Sequence, residues 1–187
     1  SCSLVGSEMC IRDSGRVVEL VGNIGNPDNA KQVVECDGEG VGLFRTEFLF
    51  MDSDSMPTEE QQFEAYKKAA LVLKDKPLII RTLDIGGDKE IPYLGLKKEE
   101  NPFLGFRAVR FCLENTQLYK TQLRALLRAS AFGNIKIMVP LVTCVDEIRA
   151  VKALVKEIMA DLDSQGIAYN KEIQVGVMIC LLYTSPS

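Results

Sequence analysis

The chain has 187 residues, 47% hydrophobic and 26% charged, with a formal charge of −4. That is an ordinary balance for a globular protein with one core, and it gives no electrostatic hold on nucleic acid. No apolar stretch approaches the ~20 residues of a membrane-spanning helix, so a cytoplasmic protein with no membrane partner is expected. Histidine is absent, which removes imidazole as base, nucleophile or metal ligand; any phosphohistidine must belong to another domain or protein.

Val17–Ile24 reads as a first strand and Pro27–Cys36 as a short helix. Gly40-Val41-Gly42-Leu43-Phe44 is short, apolar and bounded by glycine, a second strand that ends on Arg45-Thr46. Thr58, with Gln61 three residues on, forms a capping-box pattern, and Phe63, Tyr66, Ala70 and Leu73 supply the helical stripe behind it. Pro77–Ile80 is a third strand, ending on Arg81-Thr82. Residues 84–101, with Gly86-Gly87 and Pro92, read as a long functional loop or small insertion. A helix follows from Gln117 to Ala131, stopped by Gly133, and Ile135–Val142 is a fourth strand. The cleanest helical period is Ile148, Val151, Leu154, Val155, Ile158, Met159 and Leu162, behind a Thr143-x-x-Asp146 cap and ending at Gly166. Glu172–Ile179 is a fifth strand. Strands alternating with helices argue for right-handed βα units and a parallel sheet, open or closing as a barrel.

Arg-Thr thus occurs twice, each time at the carboxyl end of a strand. Ligands of α/β proteins gather at that end, and arginine offers planar, paired donors to phosphate or carboxylate. Arg45 and Arg81 together predict an anion site. The competing reading pairs each arginine with a nearby carboxylate, Arg45 with Glu47 and Arg81 with Asp84. A nucleotide-binding module is disfavoured. Gly38-x-Gly40-x-Gly42 lacks the dinucleotide spacing, and Gly86-Gly87-Asp88-Lys89 lacks both the spacing and the hydroxyl of a P-loop. The six cysteines include no C-x-x-C pair and no zinc spacing, so Cys36, Cys112 and Cys144 read as core or surface thiols.

The run Gly40 to Met51 resembles a signature of the phosphoenolpyruvate-binding barrel of enzyme I, the phosphoenolpyruvate-protein phosphotransferase of the bacterial sugar phosphotransferase system. Further matches follow in order at Arg81 to Lys89, Glu100 to Arg107 and Gln122 to Ser130, and the likeness runs from about Val17 to Ile179. Pyruvate phosphate dikinase and other phosphoenolpyruvate-utilising enzymes share the strand-end arginines, but Phe44-Arg45-Thr46-Glu47-Phe48 and the 84–89 segment are more similar to enzyme I.

The resemblance implies a parent enzyme that moves the phosphoryl group of phosphoenolpyruvate to a histidine on its own N-terminal domain. From there the group passes to the histidine phosphocarrier protein for sugar uptake. Mg²⁺ is required in the intact enzyme, which is expected to be a homodimer. Arg45 and Arg81 would hold the phosphate and neighbouring oxygens. Lys89, Asn101 and Arg107 sit in motifs near the same rim, as supporting residues or loop anchors, whereas Arg124 and Arg128 read as surface or structural pairs. In the family a metal-binding Glu follows the fifth strand; here Cys180 stands there, and a thiol is a poor ligand for Mg²⁺, so this chain is expected not to bind the metal.

The implied fold is an incomplete (β/α)8 TIM-type barrel, about the first five βα units, since a whole barrel takes about 250 residues. Residues 15–179 are its expected extent. Residues 1–14 and 180–187 break the family pattern and read as non-native leader and tail resembling sequencing adapter. A chain of this extent is expected to lack turnover. The alternatives are a stand-alone, non-catalytic half-barrel binding a small phospho-carboxylate, or a fragment of another phosphoenolpyruvate-utilising enzyme such as pyruvate phosphate dikinase.

Overall fold

A computed structural model describes residues 21–24, 30–31, 40–84, 109–142 and 144–179. The strands are β1 (Val21–Ile24), β2 (Gly40–Arg45), β3 (Leu78–Arg81), β4 (Ile135–Val142) and β5 (Val175–Ile179). The helices are α1 (Glu47–Met51), α2 (Glu59–Leu73), α3 (Val109–Glu114), α4 (Thr116–Ser130) and α5 (Val145–Ser164). Of the helix expected over Pro27–Cys36, Ala30 and Lys31 are described, and both are helical.

The five strands form one sheet in the order β1-β2-β3-β4-β5, and every neighbouring pair is parallel. A parallel connection must cross over, and it does so with one hand. When each crossover also steps in the same direction, all the helices fall on one face of the sheet; a doubly wound sheet instead reverses order and carries helices on both. The packing agrees, with α2 lying against α4 and α4 against α5. This is a parallel sheet with flanking helices in the arrangement of part of an α/β barrel wall.

Side-chain alternation then sorts the sheet into two faces. Phe44, Ile80 and Ile137 are in register across β2, β3 and β4, and all three are buried in the core. The next register row is Arg45, Arg81, Met138 and Gly176, on the opposite face. The core side is closed by the apolar faces of the helices, with Phe63, Tyr66 and Leu73 from α2 and Leu118, Tyr119, Leu123, Leu126 and Leu127 from α4. From α5, Val151, Val155, Ile158 and Leu162 are buried, while Ile148, Leu154 and Met159 pack against the core from its margin.

Local signals account for two of the helix ends. Thr58 and Gln61 make the reciprocal capping box, Gln61 N–H donating to Thr58 Oγ1 at 3.2 Å and Thr58 N–H to Gln61 Oε1 at 3.0 Å. Gly166, at φ +68, ends α5. Its N–H donates to Asp163 O at 3.2 Å and that of Ile167 to Leu162 O at 3.0 Å, closing the last carbonyls in the Schellman pattern.

Three expectations need correction. The N-cap of α5 is Cys144, one residue after the threonine of the predicted cap, and its N–H donates to the Glu147 carboxylate at 3.4 Å. The fifth strand begins at Val175 rather than Glu172. There the Asn170 side chain accepts the Glu172 N–H at 3.0 Å and fixes a turn, a local competitor to the ladder that an apolar count does not register. Gly133 serves close approach rather than helix termination: α4 already ends at Ser130. A Cβ at Gly133 would lie 2.9 Å from Ala70 Cβ and 3.1 Å from Ala70 O, against α2. Because one of those atoms is backbone, Gly133→Ala is expected to cost on the order of 1–3 kcal/mol. A urea unfolding curve checks it; a midpoint matching the parent chain would show that the turn and α2 separate freely.

Candidate functional site

The row Arg45 and Arg81 lies at the carboxyl ends of β2 and β3, directly paired in the parallel register. Parallel pairing of two strands that each end in arginine is what brings these residues side by side; neither is placed by a loop. Their environments differ. Arg81 is nine-tenths buried, with its Nη2 bonded to Glu47 Oε1 and its Nη1 3.3 Å from Asp84 Oδ2. Its Nε is buried and has no hydrogen-bond partner among the described residues. Arg45 is half-buried, and no hydrogen bond or ion pair joins its side chain to another described residue. Among the described residues, two acids face Arg81 and none faces Arg45.

Glu47 corrects the sequence reading, which offered it to Arg45. The chain turns from β2 into α1 at Thr46, so residues 45 and 47 do not share a strand face. Glu47, the first residue of α1, reaches the neighbouring strand instead. Thr46 occupies the N-cap position of α1 yet makes no side-chain cap bond; its hydroxyl donates to Arg81 O at 2.7 Å and its Oγ1 accepts from Gln122 rather than from the first turn of the helix.

Behind the arginines lies a chain of buried polar groups. Gln122, on α4 and fully buried, donates through Nε2 to Thr46 Oγ1 at 3.1 Å and to Tyr66 OH at 3.3 Å. Its Oε1 accepts the Leu83 N–H at 2.9 Å. Tyr66 passes its proton on to Gln62 Oε1 at 3.2 Å, and Gln62 Nε2 donates to Pro57 O at 3.1 Å. The chain runs from Pro57 O to the Arg81 carbonyl, its donors pointing outward on both sides from the Gln122 amide. Beside this chain, Tyr119 OH lies 3.4 Å from Thr82 Oγ1, and the Cys112 thiol donates to Leu83 O at 3.6 Å. Burial pushes both phenols well above their ordinary value. It does the same to Cys112, with the charge of Asp84 adding to the shift, so this thiol is held protonated and unreactive.

Arg124 and Arg128 are structural, as their helical setting suggests. Arg124 binds Glu59 at 3.1 Å and also Asp161, and Arg128 binds Glu59 and Glu60 at 2.7 Å each. These pairs tie α4 to α2 and α5 on the outer surface. Lys89, Asn101, Arg107 and Cys180 lie outside the described residues. Among the described residues no group of three or more His, Cys, Asp or Glu side chains could hold a metal ion. The rim carboxylates Glu47 and Asp84 each direct one oxygen to Arg81.

The class of protein the fold defines is a parallel α/β sheet with flanking helices, part of a barrel wall, with two arginines side by side at the carboxyl rim of its strands. Residues 4–182 match the family described as PEP-utilising enzyme, PEP-binding domain, and the chain belongs to that family. It is 56% identical over 162 residues to the phosphoenolpyruvate-protein phosphotransferase of Priestia megaterium, covering 87% of this chain and 28% of the relative. It is 51% identical over 173 residues to the phosphotransferase of the same name from Bacillus subtilis (strain 168), covering 92% of this chain and 30% of the relative. For the Staphylococcus carnosus (strain TM300) protein, again of that name, the figures are 52% over 165 residues, 88% and 29%. The chain therefore corresponds to a piece of a phosphoenolpyruvate-protein phosphotransferase, within its phosphoenolpyruvate-binding domain, and spans less than a third of the length of these relatives. Among the described residues, no helix is long and apolar enough to cross a membrane.

Proposed function

We propose that the rim of β2 and β3 binds phosphoenolpyruvate, with Arg45 and Arg81 as its anion-binding groups. The observation that carries this is the direct register pairing of the two arginines, with Arg45 holding no acid among the described residues. The two sites differ in kind: Arg45 offers a whole guanidinium, whereas Arg81 offers its buried Nε and the field of a charge already fixed in place. Phosphoryl transfer needs little covalent help from a protein; it needs the phosphate oxygens held and their charge met.

In the parent protein, the bond between phosphorus and the enol oxygen breaks and a bond from phosphorus to an imidazole nitrogen forms. The enolate left behind takes a proton to become pyruvate. With no histidine in the sequence, the nucleophile comes from elsewhere, on this reading the N-terminal domain of the parent, which then serves the histidine phosphocarrier protein. Mg²⁺, homodimerisation and a cytoplasmic setting belong to the same reading of the parent. Residues 15–179 form part of a (β/α)8 barrel within it, and the isolated chain binds without turning over.

Calorimetric titration of phosphoenolpyruvate into this chain tests the reading. Binding is expected, and Arg45→Ala is expected to weaken it at least ~100-fold, the loss of a charge-assisted bidentate contact worth roughly 3 kcal/mol. Heat identical to dilution for the parent chain, or undiminished affinity in Arg45→Ala, would remove the assignment.

A further inference from the structure

We infer that Gln122 is a positioning residue that sets the geometry of the arginine pair from behind the sheet. The inference rests on the phosphoenolpyruvate reading for its functional meaning, but its structural content stands apart from it. Gln122 is a polar residue on the buried, otherwise largely apolar face of α4, between Tyr119, Leu123 and Leu126. Its amide has two donors and an acceptor to satisfy, and the described contacts use all three.

What those contacts hold gives the residue its role. One donor goes to Thr46, the residue after Arg45, whose own hydroxyl is spent on the carbonyl of Arg81. The acceptor takes the N–H of Leu83, two residues after Arg81. A single side chain thereby holds the Thr46 hydroxyl just beyond one arginine and the backbone N–H of Leu83 just beyond the other, and through Thr46 it ties one strand end to the other. The second donor goes to Tyr66 on α2 and touches neither strand, so the contacts to Thr46 and Leu83 do not depend on it. An amide is suited to this place because it donates in one direction and accepts in the other. Methionine would match its shape and do neither, leaving the Leu83 N–H without its acceptor and Thr46 without its donor.

A role that is merely structural would show as lost stability alone. Tyr66→Phe provides that control, since it removes a hydrogen bond from the same hub without touching the strand ends. The measurement is the pair of side-chain Nε–Hε resonances of Arg45 and Arg81 in the nitrogen-15-labelled chain, together with hydrogen exchange at the Leu83 amide. The dissociation constant for phosphoenolpyruvate is measured alongside. Gln122→Met and Thr46→Val are expected to shift both arginine resonances and speed exchange at Leu83. They are also expected to weaken binding roughly tenfold or more, in keeping with the cost of small misplacements of binding groups. Thr46→Ser, which keeps the hydroxyl, restores the parent values, and Tyr66→Phe lowers the unfolding midpoint while leaving resonances and affinity in place.

Unmoved arginine resonances in Gln122→Met would overturn the inference. So would a Tyr66→Phe variant that disturbs the arginines as much as Gln122→Met, because the effect would then be general softening of the core. If the parent chain does not respond to phosphoenolpyruvate at all, the binding reading falls, and the arginine resonances still decide whether Gln122 positions them.

Discussion

Arg81→Met is expected to cost on the order of 3–5 kcal/mol of folding stability, the range for removing one partner of a buried ion pair. Arg81 stands between two carboxylates that are themselves more than nine-tenths buried, Glu47 and Asp84. Methionine keeps most of the volume and takes away the charge both acids face. Arg45→Met, at a half-buried position with no described acid to abandon, is expected to cost less than about 1 kcal/mol. The two arginines of one motif thus separate by stability even where both contribute to binding. Urea unfolding of Arg81→Met, Glu47→Gln and the double variant gives the coupling directly. An interaction energy of roughly 1–3 kcal/mol is expected between side chains in contact. Additive costs would mean that the pair is an ornament of the fold, and equal losses for the two arginines would erase the distinction drawn between them.

The second large effect is alkaline. Tyr66 and Tyr119 have an ordinary value of 10.0, and Cys112 one of 9.0; all three are pushed far upward in the folded protein, chiefly by burial. Each group binds its proton more tightly when folded, so the stability this represents is full below the ordinary values. It declines as pH rises past them, because the unfolded chain releases protons that the folded chain keeps. Each group contributes a slope of ~1.4 kcal/mol per pH unit, and the three together approach ~4 kcal/mol per unit above pH 10. The fold is therefore expected to lose stability steeply once the pH passes about 10. Phenolate absorbance of the two buried tyrosines would appear in step with the loss of helical signal rather than as independent titration. Tyr66→Phe should flatten the slope by one proton. A smooth titration of all five tyrosines with the helices intact would contradict the burial of these phenols.

How far the sequence announces this structure depends on the range of the signal. The strand ends were legible because apolar runs stop at Arg45 and Arg81 beside glycine or proline punctuation, and a parallel sheet aligns such stops. The Thr58–Gln61 cap and the α5 stripe were legible because their partners lie within one or two turns. The short helices α1 and α3 passed unseen, since five or six residues carry less than two turns of period. The site was half visible. Two arginines at strand ends can be counted from the sequence, but their partners are set by register and packing. Glu47 belongs to Arg81 across 34 residues, and Gln122 to Thr46 across 76. One clue went unused: a glutamine in the middle of an apolar helical face, the mark of a buried amide with obligations to meet.

The span of those contacts also orders events as the chain is made. Gln122 trails Leu83 by 39 residues, about 2–8 s of synthesis at ~5–20 residues per second. During that interval β2 and β3 can already pair and set the arginines side by side, while the amide that locks the backbone beyond them has not yet emerged. Strand order is thus an early commitment of the nascent chain and the anion-binding geometry a late one. A chain halted before α4 would hold Glu47 and Asp84 for Arg81 but not the amide that joins the segments following both arginines.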